Sequence, residues 1–495
     1  MNCVALPILI PLVLMIIQIF FRRKIFSQWL GISGSLLLLL STFYLFGQVT
    51  NHGILTLNVG GWPAPYGITL VIDYLSILML VISAVIIFCI SIYAVSFLKT
   101  TGKKQRFYIA FYALILGLNG AFITGDVFNL YVWFEVMLIS SFVLITLGSS
   151  KEQLSGGIKY LALNLVGSLL FLAGIGLLFG KTGTLNMAQL AEILREDDSA
   201  ILLNTSAMLF FVAFGIKAAI FPLFFWLPAS YHTPNITITS LFAGLLTKVG
   251  VYTMIRFFTL FFVQDQPFWH TLLLTLAGLT MFIGGSAAIA QYEIRRILSY
   301  HIISQIGYMV MGLGIFTPLG LAGGIFFTLH NMIAKTNAFL VSGMVFKLKG
   351  NYHLKNIGGL VKQSPLLAVL FIIPAFALAG VPPLSGFFAK FILIKAGFED
   401  GHYFVTSVAV FTGLLTLYSM IKIWNEAFLK KPPEDPTQEK DTYELSFVEV
   451  FPSLLLGMIS LGMGIFASSV FGYTMEAANQ LINPSIYIET VLYNQ

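Results

Sequence analysis

Six ionisable side chains stand in stretches that hold almost nothing else polar. Glu135 lies in LYVWFEVML, Lys217 in FGIKAAIFPLFFWLP and Lys248 in LFAGLLTKVGVY. His330 and Lys335 share GGIFFTLHNMIAKTNAFL, and Lys390 ends the run GVPPLSGFFAK. An ion in an apolar medium is costly unless a partner or water compensates it, so each of these positions is a functional hypothesis by default. Burial favours the neutral form of a lysine or a carboxylic acid, and an opposite charge favours the ionised form. Groups balanced between those two influences exchange protons near neutral pH, which is the chemistry of a proton relay. The competing reading is a set of ion pairs tying helices together. Against it stands the count: Glu135 is the one acid at the depth of several lysines. His330 alone reads as a hydrogen-bonded core histidine, but with Thr328, Asn331 and Lys335 it reads as the wall of a hydrated path. Nothing in the sequence resembles a nucleotide loop, a catalytic triad or a metal cluster, and the histidines are too scattered to pair on a haem.

The elements that must hold these residues are membrane helices. The chain is 58% hydrophobic and only 10% charged, with a mean hydropathy of +0.90. A soluble domain carries about 25% charged residues. The net charge of +6 and the pI near 9 could suggest nucleic acid, but the placement of the cations argues for membrane topology instead. Apolar runs of spanning length recur to the end of the chain, giving about fourteen helices at roughly 20 residues each. With the N-terminus outside, seventeen of the nineteen loop lysines and arginines fall in cytoplasmic loops, among them Arg22, Arg23, Lys24, Lys99, Lys103, Lys104, Arg295, Arg296, Lys347 and Lys440. Only Lys181 and Arg195 fall outside. That is a strong positive-inside bias, and it puts both termini outside. The first apolar run has no basic leader and no small-residue cleavage site, so it reads as an uncleaved span. Cys3 and Cys89 are not expected to pair.

Depth separates the cations. Lys248 lies about eleven residues into its span, Lys335 about thirteen and Glu135 about eight, the last being about 12 Å at 1.5 Å per residue. Lys159, Arg256, Lys395 and Lys422 lie within about two turns of a span end, where they can snorkel to the interface, and Lys422 has Glu426 one turn on. Outside the spans, 55–68 reads as a short hairpin, 187–196 as an amphipathic surface helix, and 430–440 as a charged linker.

Two spans must break. The run 365–398 would be about 51 Å long as a straight helix, against a bilayer core of about 30 Å. Gly380, Pro382, Pro383 and Gly386 supply the break, followed by Lys390. Span 7 breaks at Pro222 and Pro228, preceded by Lys217. The breaks lie five spans apart, so spans 4–8 and 9–13 would form two five-helix units of opposite orientation, with interrupted helices 7 and 12 in corresponding places. Such a pair is the best pointer to a transporter's site. The expected division has four regions. Residues 1–107 hold spans 1–3 and the hairpin, 108–262 the first repeat and 263–428 the second. Residues 429–495 hold the linker, span 14 and an outer tail.

Lys217–Pro228 with His232, Pro234, Thr247-Lys248 and Gly250 is one of several motifs that together resemble a known family. The others are QYEIRRIL at Gln291–Leu298 with Tyr300, Ser304-Gln305 and Gly307-Tyr308; His330–Lys335; and GVPPLSGF with Lys390. The chain resembles the proton-translocating antiporter-like family, which includes large membrane subunits of respiratory complex I and of Mrp-type multisubunit cation/proton antiporters. The likeness covers spans 4 to 13. The Mrp branch is the nearer one: the chain ends soon after span 14, and Lys390 is a lysine where a related complex I subunit has glutamate. Phe224-Phe225 departs from relatives that carry a histidine before the tryptophan. The resemblance implies that Glu135 pairs with Lys217, that Lys248 bridges, that His330 and Lys335 relay, and that Lys390 ends the path. It implies a secondary transporter subunit of a cell-membrane Na+/H+ antiporter, needing no cofactor, with partner subunits of the A, B, C, E, F and G types and with protons and sodium as cargo. The alternatives are an ion-pumping membrane subunit of a complex I-like NADH dehydrogenase or membrane-bound hydrogenase, and a scaffold of buried ion pairs.

Overall fold

The computed structural model describes residues 2–20, 24–97, 101–195, 200–431 and 444–493. Arg22, Arg23, Lys99, Glu196, Lys440 and most of the 430–440 linker lie outside the described residues. The chain is nearly all helix. The N-terminal helices are α1 (Leu6–Phe20), α2 (Lys24–His52), α3 (Tyr74–Phe97) and α4 (Thr101–Ile123). Then come α5 (Val127–Thr146), α6 (Lys151–Thr182), α7 (Met187–Arg195), α8 (Ala200–Ala218), α9 (Trp226–Ser230) and α10 (Ile236–Leu260). They are followed by α11 (Gln266–Ala290), α12 (Ile294–Ile315), α13 (Pro318–Lys349), α14 (Leu360–Gln363), α15 (Pro365–Ala379), α16 (Ser385–Glu399) and α17 (Tyr403–Ile423). The last three are α18 (Phe447–Ile465), α19 (Ala467–Ile482) and α20 (Pro484–Leu492).

Local chemistry sets the helix ends. The Asp126 carboxylate accepts from Asn129 N at 2.7 Å and caps α5. Ser150 and Gln153 form a capping box on α6, and Gly183 in the left-handed region closes it. Thr317 caps α13 ahead of Pro318, and Gly350 ends it at φ 66°. These devices satisfy backbone groups that a helix terminus leaves open.

Among the described residues, eleven helices are long and apolar enough to cross a membrane. The three sequence spans outside that number are 299–316, 322–346 and 365–398. Their departure has a physical reason. The helices α12 and α13 carry Arg295, Arg296, His301, Gln305, His330, Asn331, Lys335 and Asn337, and the third span is divided into α15 and α16. The polar content is central, not peripheral. Helix α10 is buried along its whole length, and α13 is buried from Gly320 to Val345. The ring around them, including α2, α6, α15 and α17, presents apolar side chains outward.

The hairpin forms as an antiparallel pair, β1 (Leu55–Asn58) and β2 (Thr69–Ile72), in the register Leu55↔Ile72 to Asn58↔Thr69. Gly125 N donates to Thr69 O, and Met187 N to Gly125 O, each at 2.8 Å, which stitches the hairpin to α5 and α7. The apolar face of α7 is buried against the protein.

The chain beyond Ile465 is not a tail. Helix α18 stops near Phe466, and α19 and α20 continue with buried faces that include Thr474, Ala477, Leu481, Tyr487 and Val491. Small and apolar residues at helical spacing let α19 pack against α3 and α13. One of the cations expected to snorkel does not. Arg256 is buried in an ion pair with Asp73 at 2.6 Å. Lys422, half-exposed, reaches the end of α11, where it donates to Ile289 O at 2.8 Å and Gln291 O at 2.9 Å, while Glu426 pairs with Lys430.

Candidate functional site

The two breaks are built on one scheme: a helix ends abruptly and its freed backbone groups receive polar partners. Helix α8 ends at Ala218, and Ala219 takes a positive φ of 66°. Trp226 Nε1 donates to Ile216 O at 2.9 Å, and Phe221 N to Thr280 Oγ1 at 3.0 Å. Helix α15 ends at Ala379, and Gly380 turns the chain at φ 90°. Lys390, one turn into α16, reaches back and donates to Leu378 O and Ala379 O, each at 2.9 Å. A cation at a helix C-terminus meets both the open carbonyls and the negative end of the helix dipole. Gly386 is required by space: a Cβ there would stand 1.7 Å from Ala377 O.

Lys217 sits in the last turn of α8, 4% exposed. Its Nζ lies 5.7 Å from the Phe134 ring centre and 6.0 Å from that of Tyr160. Glu135 follows Phe134 on α5, and its charge bears on the lysine. No direct ion pair joins the two among the described residues; Glu135 is half-buried and its Oε1 has no hydrogen-bond partner. The ammonium rests against aromatic faces instead, beside a small cavity bounded by Phe134, Asn164, Ser168 and Phe171.

Lys248, on α10, is fully buried and donates to Ala243 O at 2.5 Å. On α13, His330 Nδ1 meets Ser385 Oγ at 2.8 Å, and that hydroxyl meets Ser460 Oγ at 2.9 Å. Lys335 is also fully buried. Among the described residues its Nζ has no hydrogen-bond partner, and neither do His330 Nε2, both amide atoms of Asn331 and of Gln305, Thr247 Oγ1, Ser304 Oγ or His301 Nδ1. Buried polar atoms are normally satisfied by protein or ordered water. So many unpartnered atoms on α10, α12 and α13 mark a region suited to water.

Several charged or polar residues escape sequence reasoning. Asp73 and Glu449 are buried carboxylates at helix ends, where an acid reads as an ordinary cap. Asp73 caps α3 through Ser76 N at 2.9 Å and pairs with Arg256, 183 residues away. Glu449 pairs with Lys347, joined by Ser96. The motif D-x-x-S before an apolar run signals the first cap, but nothing local signals its arginine. His301 hides among scattered histidines, although a histidine within LSYHIISQIG carries the same signal as His330. On the face where Glu293 pairs with Arg295, a cavity of about 540 Å3 opens below the α8–α9 break, with Lys151, Lys159, His232 and Arg296 on its walls.

A buried row of cations between two broken helices, inside a polytopic all-helical bundle, defines the class of protein: a membrane subunit built around an intramembrane polar axis. Comparison with known proteins agrees. Residues 124–416 match the family described as NADH:quinone oxidoreductase/Mrp antiporter, TM, and residues 59–108 match the N-terminal family of complex I chain 5. The D subunit of a Na(+)/H(+) antiporter of Alkalihalophilus pseudofirmus is 44% identical over 493 residues, covering 99% of each chain. A chain in the structure of the Mrp complex from a Dietzia species superposes with a TM-score of 0.92 at 30% identity, over 99% of this chain and 100% of that one. A chain of an archaeal membrane-bound sulfane sulfur reductase gives the same TM-score at 27% identity and the same coverage. The chain therefore belongs to the NADH:quinone oxidoreductase/Mrp antiporter membrane-subunit family, on the side of its antiporter D subunits.

Proposed function

We propose that the chain is the proton-translocating subunit of a multisubunit Na+/H+ antiporter in the cell membrane, working with the other subunits of that complex. Fourteen spans with both termini outside, and two inverted five-helix units, are the topology this reading assumes. Protons would pass along the axis Glu135, Lys217, Lys248, His330/Lys335 and Lys390. The observation that carries the reading is the run of buried, unpartnered polar atoms on α10, α12 and α13, between two helix breaks that each hold a lysine. An opposite charge stabilises an ammonium. Bringing Glu135 against Lys217 would hold a proton there, and drawing them apart would release it toward Lys248. The separation of the two groups suits the released arrangement. Coupling to sodium would involve neighbouring subunits, because hard-cation sites want several oxygen ligands and Glu135 is the one acid on the axis.

The test is sodium-dependent proton movement in vesicles holding the assembled complex, with Glu135→Ala and Lys217→Ala. Both changes should stop transport while the complex still assembles. Transport that survives both would overturn the axis. The likeness to a sulfane sulfur reductase chain keeps a second reading in view, the membrane subunit of a redox-driven complex. Purification of the native assembly decides it: redox-centre subunits travelling with this chain would favour that reading, and small membrane subunits alone would favour the antiporter.

A further inference from the structure

His301 is a fully buried titratable group that the axis above does not use. It stands on α12 with Ser304 and Gln305 one turn on. Its Nε2 lies 2.5 Å from Ser419 Oγ on α17. That serine donates its own hydroxyl proton to Thr416 O at 2.9 Å. The hydroxyl can then only accept from the ring, so Nε2 carries the hydrogen and Nδ1 carries the lone pair. Nδ1 is buried and has no partner among the described residues. The charged groups that bear on the ring are Lys335 and Lys390. Helix α12 packs on α13, and the charge of Lys335 acts on the ring, so a donor without a partner, Lys335 Nζ, faces across that contact an acceptor without one, His301 Nδ1; α12 also carries the unpartnered Gln305 amide and Ser304 hydroxyl.

Depth gives this arrangement a direction. The N-terminus of α12 and the C-terminus of α13 lie at one face of the molecule, where Glu293 bridges to His353 and Ile294 N donates to Tyr352 O at 3.1 Å. His301 is seven residues into α12, about 10 Å from that face, and Lys335 is fourteen residues from the end of α13, about 21 Å. The histidine is a halfway station between the face and the lysine.

We propose that His301 is a further proton-carrying residue, exchanging protons between Lys335 and the face that bears Glu293, and that Ser419 is its positioning residue. This inference rests on the proton-relay reading of the axis. In the first step an N–H proton leaves the Lys335 ammonium and passes through water to the lone pair of His301 Nδ1, leaving a neutral amine and an imidazolium. In the second step the imidazolium passes that proton through water to the face that bears Glu293, and the Lys335 amine takes up a proton arriving along the axis from Lys248 or Lys390.

The experiment uses vesicles with the whole complex and measures sodium-dependent collapse of a pH gradient, with assembly checked on native gels. His301→Gln keeps an amide donor for Ser419 but carries no proton. The expected result is transport slowed by about a hundredfold or more, in the range that proton-transfer groups contribute, with the complex intact. Ser419→Ala should also slow transport, and Ser419→Thr, which restores the hydroxyl, should recover it. Wild-type transport in His301→Gln overturns the proposal. If His301→Gln blocks assembly, the serine pair decides: equal rates in Ser419→Ala and Ser419→Thr overturn it. Lys335→Met, run beside them, separates the two levels. A silent His301→Gln with a dead Lys335→Met sinks the His301 branch alone, whereas normal transport in Lys335→Met sinks the axis itself.

Discussion

Arg256 and Lys335 are both buried cations, and what separates them is partnership. Two Arg256 nitrogens meet the two Asp73 carboxylate oxygens at 2.6 and 2.8 Å, between the rings of Tyr252 and Tyr487. Removing one member of a buried pair strands the other charge, at a cost of about 3–5 kcal/mol. Arg256→Met should therefore lower the thermal midpoint of the purified complex sharply, and the double change Asp73→Asn with Arg256→Gln should recover most of the loss. A single change without effect on the midpoint would remove the pair from the account of stability. His232 tests a different kind of contact, in the turn between α9 and α10. Its Nδ1 donates to Pro228 O at 2.8 Å, and its Nε2 accepts from Arg296 at 3.3 Å, which requires a neutral ring. Burial, with a smaller contribution from the Arg296 charge, holds its pKa below the usual 6.5 although the Pro228 carbonyl pulls the other way. The sign follows. A base whose folded pKa is depressed contributes stability that is fully present above its unfolded value and is lost as the pH falls through 6.5 toward the folded value. Detergent-purified complex should lose thermal stability over that window, and His232→Gln should flatten the loss.

At the scale of elements, the second break is held by close packing of backbone on backbone. A Cβ on Gly386 would meet Ala377 O at 1.7 Å, and one on Gly464 of α18 would meet Pro383 O at 1.8 Å. Neither neighbour is a flexible side-chain end, so the strands of chain themselves would have to move. Gly386→Ala and Gly464→Ala should each reduce assembly or transport severely, and Gly472→Ala, with nothing within 4 Å, should be silent. Assembly measured on native gels checks all three, and a fully active Gly464→Ala would free α18 from any role in holding the break. The break itself is legible in the sequence, because a largely apolar run of 34 residues around Gly-Val-Pro-Pro cannot cross a bilayer straight. The hairpin is legible from its alternation and its glycines. The role of α18 is not: its buried face of Ser453, Gly457, Ser460 and Gly464 looks like ordinary small-residue packing until Ser460 meets Ser385, which in turn meets His330. Nor are α19 and α20, whose modest apolar content reads as a tail until neighbouring helices supply a surface for it.

Across the whole molecule, the sequence reveals which polar residues are deep but not which of them are spoken for. Depth follows from position within an apolar run, which is why Lys217, Lys248, His330, Lys335 and Lys390 stand out without any knowledge of contacts. Partnership depends on residues far away in the chain, so Asp73–Arg256 and Glu449–Lys347 are invisible there, and Lys217 looks bound to Glu135 when it rests on aromatic rings. Partnership also divides the buried charges by purpose. A buried pair holds helices together, whereas a buried group without a partner costs stability and persists only where function requires it. Lys335 is the sharpest case, fully buried with Nζ unpartnered among the described residues. Even a buried ion pair can be replaced by apolar residues of similar volume at no cost or with a gain of about 1–4 kcal/mol, and a buried ion without a partner has no pairing energy to lose. Lys335→Met should therefore leave the thermal midpoint of the complex unchanged or raise it, while abolishing sodium-driven proton movement. Arg256→Met should lower the midpoint under the same conditions. The two measurements, made side by side, separate a charge kept for transport from one kept for structure. A lowered midpoint with transport intact in Lys335→Met would place Lys335 with the structural cations and shift the axis away from α13.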